Sequence, residues 1–211
     1  MQAINAKMTL KAAKAIAGTL GNPSKMPGLS YGISAKHCLT GAKLAKIEGT
    51  VCHGCYALKA NYSYPSVQKA HETRGNSLNN PLWVKAMVTQ ITASKTDYFR
   101  WHDAGDLQSF QHLLNIVSVA EACPSVKFWL PTKEKKFISQ FIDSFGAFPD
   151  NLIVRVSGAM VDGPMPDFEH TSTVVTDSTK ATCRAFENKN KCGDCRKCWD
   201  KSTANVSYLK H

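Results

Sequence analysis

Apolar residues at Met8, Leu10, Ala13, Ile16 and Ala17 share one helical face, and Gly18 and Gly21 close the segment. That periodicity predicts a helix over residues 8–18. Residues 20–55 lose the period and are rich in Gly, Pro and Ser, so they read as a long loop. A loop of that length in a compact domain needs something to organise it. Helical spacing returns at about 65–75 and 80–94, where Pro81 suits a first helical turn. The centre then alternates: strand 98–102, helix 108–122, strand 126–131, helix 134–146, strand 152–156, and a shorter strand at about 171–176. Strands alternating with helices of this length imply right-handed crossovers and a parallel sheet. The expected fold is α/β, a partial-barrel-like parallel sheet with crossover helices and cysteine-rich loops at both ends. One domain over 1–211 is expected, with an N-terminal cysteine loop at 30–60, a core at 97–176 and a C-terminal cysteine loop at 181–200.

The three central strands end in polar residues that a buried strand does not need. These are His102-Asp103-Ala104-Gly105-Asp106, Thr132-Lys133 and Ser157-Gly158. The carboxyl ends of parallel strands share one edge, and ligands bind there. His102, Asp106, Lys133 and Ser157 are therefore candidate catalytic residues. Plainer readings stand beside this one: Asp106 and Thr132 as helix caps, Lys133 as solvated, and His102 as a structural histidine beside Trp101. Phe99, Phe128 and Trp129 read as core.

Composition narrows the class. The 211 residues are 43% hydrophobic, enough for a sizeable core, and no stretch approaches the roughly 18–20 apolar residues of a membrane span. Lys11 and Lys14 break any apolar leader core. A cytoplasmic protein is expected, where structural disulfides are rare and thiols serve metals or redox chemistry. The formal charge of +10 suggests a polyanionic partner, but the basic residues are scattered. Nucleic acid is thus a possible partner and not the favoured one.

Seven of the eight cysteines fall into two blocks: Cys38, Cys52 and Cys55, then Cys183, Cys192, Cys195 and Cys198. The last three stand at successive spacings of two intervening residues, as in ferredoxin-type runs, whereas zinc ribbons use separated pairs. Seven thiolates divide into four and three, which gives one fully ligated cluster and one with an open iron. All seven around one larger cluster is the other arrangement. Zinc remains an alternative, with His37 or His53 completing a second site. Cys123 stands apart and reads as a buried, inert thiol. Trp199, next to Cys198, is placed to shield a cluster from water.

Several segments, taken in order, resemble a known family: Cys52-His53-Gly54-Cys55-Tyr56-Ala57, Arg100-Trp101-His102-Asp103-Ala104-Gly105-Asp106, Phe128-Trp129-Leu130-Pro131-Thr132-Lys133, Asn151 to Ser157, and Cys183…Cys192-x2-Cys195-x2-Cys198-Trp199. Over roughly residues 30–200 the chain resembles the phage gene-product-eighty-eight family, itself similar to cut-down radical S-adenosylmethionine barrels. The resemblance implies a phage-encoded iron–sulfur protein acting in the infected host cell. It implies ligation by the seven cysteines and a site edge containing His102, Asp106, Lys133 and Ser157. One or two 4Fe–4S clusters, or one larger cluster, are expected, with S-adenosylmethionine a further cofactor on the radical-enzyme alternative. The expected role is redox, through an electron-transfer partner or a small-molecule substrate. A radical S-adenosylmethionine-type enzyme and a zinc-stabilised nucleic-acid-binding protein are the alternatives. The compact radical-enzyme spacing is three residues and then two, whereas thirteen residues separate Cys38 from Cys52 here.

Overall fold

A computed structural model describes residues 8–210, so the 1–211 domain reading runs past it at both ends. Helix α1, Leu10–Ala17, starts where the Thr9 hydroxyl accepts from the Ala12 N–H and stops at Gly18, whose φ is 74°. Strand β1 is Leu29–Tyr31 and helix α2 is Leu39–Leu44. Helix α3, Pro65–Ser77, opens on a proline whose missing N–H is no loss in a first turn. Helix α4 is Trp83–Ser94 and β2 is Tyr98–Trp101. Helix α5, Phe110–Ala122, is capped by Ser109, not by Asp106, because the Ser109 hydroxyl is the group that reaches the His112 N–H. Strand β3 is Lys127–Thr132 and α6 is Lys135–Phe145. Strands β4, Leu152–Val161, β5, Thr171–Val175, and β6, Asn205–Leu209, complete the chain.

The six strands form one parallel sheet in the order β1-β2-β3-β4-β5-β6. Each strand lies beside its sequence neighbours, which is the order of a barrel wall, left unclosed between β1 and β6. The expected α/β class and parallel sheet are found. Two readings are corrected. Residues 20–55 are not all loop, since they contain β1 and α2. The tail beyond 181 ends in β6. Both strands are short, and β1 is set between Gly28 and Gly32, so neither shows a readable alternation.

Side chains alternate across the sheet and build two separate cores. Tyr31, Phe99, Trp101, Phe128, Leu130, Leu152, Val154 and Val156 face the helices and pack with α1, α4, α5 and α6 residues. The opposite face carries Tyr98, Trp129, Val206 and Tyr208, which pack against Cys183, Cys198 and Trp199. The C-terminal cysteine loop therefore covers the face that the helices leave open. Among the described residues, no helix is long and apolar enough to cross a membrane.

Candidate metal centre

The chain leaves β1 at its carboxyl end and gathers the first three cysteines above the sheet edge. Cys38 ends a single 3-10 turn, Ala35–His37, and leads into α2. Thr40 ties this corner to the next crossover, donating its N–H (2.8 Å) and hydroxyl (2.9 Å) to the Glu134 carboxylate. Residues 49–51 are pinned to the end of β4: Val51 N–H donates to Ala159 O and Val161 N–H to Gly49 O, each at 2.9 Å. Cys52 and Cys55 then close a turn in which the Cys55 N–H donates to Cys52 O. A β-carbon at Gly41 would lie 3.6 Å from both the Cys38 and the Cys52 sulfur, so the two thiols face one point.

The strand ends supply the surrounding charges. Asp106 accepts from Thr132 Oγ1 (2.6 Å), the Lys133 N–H (2.8 Å) and the Leu107 N–H (2.8 Å). Burial outweighs those bonds and lifts Asp106 to about 6. Lys133 donates its ammonium to Gly158 O at 3.0 Å, and burial lowers its pKa against the pull of Cys52, Asp106, Cys55 and Cys38. Cys38 is pushed up to about 12 by burial, then by the charges of Asp106, Cys55, Cys52 and Glu134. Cys52 is also raised by burial, with Lys133 opposing. Cys38 and Cys52, raised in this way, give up their protons when a cation arrives, as ligand thiols do on metal binding. An open cavity of about 340 Å³ lies at this corner, lined by Thr40, Leu44, Lys133, Glu134 and Ser157 among others, with no cysteine in its wall.

The second group lies on the helix-free face. Arg155, fully buried on β4, donates to the carbonyls of Cys198 (3.1 Å), Thr171 (3.3 Å), Ala204 (3.3 Å), Lys197 (2.9 Å) and Asp200 (3.0 Å). That clamp fixes residues 197–204 to the sheet. The Cys192 N–H donates to Lys25 O and the Cys183 N–H to Ser207 O. Cys192 is raised by burial and by the neighbouring Cys183 and Cys195. Cys198 rises to about 11, mainly through burial, while its sulfur sits 3.2 Å from the Tyr208 hydroxyl. Cys195 is exposed at the rim. Trp199 lies beneath, its indole N–H donating to Phe99 O at 2.9 Å.

Cys38 senses Cys52 and Cys55, Cys192 senses Cys183 and Cys195, and Cys198 senses Cys183, so the couplings run within each block and divide the seven into a group of three and a group of four. Asp106, Lys133 and Ser157 stand beside the group of three; Ser157 also meets Ser172 hydroxyl to hydroxyl at 3.0 Å. His102 does not join them. It is buried on the helix side with φ 53°, edge-on to His112 at 5.2 Å. Lys133 is held in place rather than solvated, and Cys123 is buried apart from both groups. His37 is taken up by Glu72 (3.1 Å) and His53 by the Ala45 carbonyl (3.3 Å). Sequence reading missed Glu134, Arg100 and Arg155. A charge inside Leu152-Ile153-Val154-Arg155-Val156 was the available signal for the last. Among the described residues, no three His, Cys, Asp or Glu side chains close on a point tightly enough to hold a single ion.

No curated protein and no solved structure matches the chain. A family described as Gene product 88 matches residues 2–201, a span that takes in both cysteine groups and all six strands but the last. The chain belongs to the Gene product 88 family.

Proposed function

We propose that the protein is a phage-type iron–sulfur protein with a redox role, its clusters held by Cys38, Cys52 and Cys55 and by Cys183, Cys192, Cys195 and Cys198. The observation that carries this reading is the division of seven free thiols into three and four, each group beside a half-buried cation. Lys133 serves the first group and Arg100 the second. A multi-iron cluster takes one thiolate per iron, so its sulfurs stand farther apart than the four donors about 2.3 Å from a single zinc ion. Such a cluster supplies reversible one-electron chemistry when bound. The protein's own residues hold it, set its charge balance through Lys133 and Arg100, and keep water away with Trp199.

Protein purified without oxygen is expected to be brown and to contain iron and acid-labile sulfide, at about eight irons per chain if each group holds a 4Fe–4S cluster. Colourless protein with stoichiometric zinc and no sulfide overturns the reading in favour of the zinc-stabilised alternative. The cavity beside the three-cysteine group favours one second reading, an enzyme of the radical S-adenosylmethionine type. Three thiolates leave one iron open, and Thr40, Lys133, Glu134 and Ser157 line the space next to it. Cleavage of S-adenosylmethionine by reduced, reconstituted protein is its test, and no cleavage removes it.

A further inference from the structure

Tyr56 directly follows Cys55, and Trp199 directly follows Cys198. Arg100 joins these two neighbours. Its Nη2 donates a long hydrogen bond, 3.5 Å, to the Tyr56 hydroxyl. Its guanidinium lies 4.5 Å over the Trp129 ring, and Trp129 meets Trp199 edge-on with ring centres 5.2 Å apart. The Trp129–Trp199 half of the line is buried, Arg100 is half-buried, and Tyr56 is exposed.

Trp129 and Trp199 belong to the second core, but two polar groups on the line are left unanswered. The Trp129 indole N–H and the Arg100 Nε are buried without hydrogen-bond partners. Among the described residues, Arg100 also forms no ion pair with a carboxylate. Burying unpaired polar groups costs stability, and such costs concentrate where function sets the arrangement.

We propose that Tyr56, Arg100, Trp129 and Trp199 form an internal electron path between the two cysteine groups, with Trp129 as its relay residue. The proposal rests on the iron–sulfur reading above. Electron tunnelling falls steeply with every gap between packed atoms, and this line of contacts leaves few. The exposed Cys195 makes the four-cysteine group the point of entry, and the cavity beside the three-cysteine group makes that group the destination. With clusters bound at both groups, one electron from a soluble low-potential one-electron carrier would enter at the four-cysteine group and pass along these side chains to the three-cysteine group. No bond forms or breaks and no proton moves along the path. The four side chains end in the redox state in which they began.

The test uses the full chain loaded with iron and sulfide. It is mixed with less than one equivalent of dithionite and freeze-quenched for electron paramagnetic resonance. The triple variant Cys38→Ser, Cys52→Ser, Cys55→Ser supplies the four-cysteine spectrum alone. In the native chain that spectrum is expected to appear first and give way to the other. Trp129→Leu and Arg100→Met are expected to lose the fast phase of that exchange, and Trp129→Phe, which keeps a ring in place, to retain it. Should Trp129→Leu fail to fold, Arg100→Gln takes its place. Exchange at the native rate in the relay variants, with full iron and sulfide, overturns the path and leaves the iron–sulfur reading standing. Absence of sulfide in the native chain overturns both.

Discussion

His102 and His112 show what burial does to a single ring. His112 is held down to about 3 by burial alone, and His102 is lowered well below its usual value by burial, His112 and Arg100. Between about 6.5 and about 3, the unfolded chain binds a proton at His112 that the folded chain refuses, so stability falls as pH drops through that window. Asp106 acts in the opposite sense between 3.8 and about 6, where the folded chain keeps a proton that the unfolded chain has lost. The two histidines outweigh it, and the urea midpoint is expected to fall between pH about 7 and about 4. His112→Leu should flatten that slope, which a denaturation series across pH will show. Arg155 is a different case, a buried cation whose partners are all backbone carbonyls. Arg155→Met leaves five acceptors unanswered and should cost at least about 3 kcal/mol in chemical denaturation. The same variant is expected to lose iron from the four-cysteine group first, read as a drop in iron per chain.

At the scale of elements, β1 is the weakest strand and depends on one glycine. Gly28 has φ +75°, and a β-carbon there would stand 1.8 Å from the Tyr98 carbonyl oxygen on β2. Gly28→Ala is therefore expected to cost more than about 2 kcal/mol and to loosen the corner that carries Cys38, measured by urea denaturation and by iron content. Elements with a long apolar period were legible in the sequence. Helices α1, α3, α4, α5 and α6 and strands β2, β3 and β4 lie within a few residues of their expected positions. Strands β1 and β6 were not legible, because three and five residues carry too little alternation and their order comes from pairing across the sheet. That the cysteines fall into two blocks is plain from their spacing; that the blocks stay apart in space was not legible, because it depends on Arg155 drawing the second loop onto the helix-free face. His102 misled for a related reason: it follows a strand end, but its left-handed backbone turns the ring toward α5.

Across the whole molecule, the sheet carries two cysteine-bearing loops tied to it by hydrogen bonds. On the iron–sulfur reading proposed above, metal binding and loop folding are one equilibrium. Trypsin is expected to cut metal-free protein quickly at exposed lysines such as Lys43, Lys46, Lys189 and Lys191, and iron-loaded protein much more slowly. Equal cleavage of both forms would show that the loops fold without metal. The second loop also touches the open margin of the sheet. The outward Ser207 N–H donates to Thr182 Oγ1 and its carbonyl accepts from the Cys183 N–H, each at 2.9 Å. Those two bonds occupy backbone groups of β6 that have no further strand to pair with. A strand margin stripped of its cover is a template for another chain. The first damage to stored, oxidised protein is therefore expected to be chain-to-chain growth along β6, with turbidity preceding any loss of helix, so that the shelf life of the protein is set by how firmly Cys183 is held.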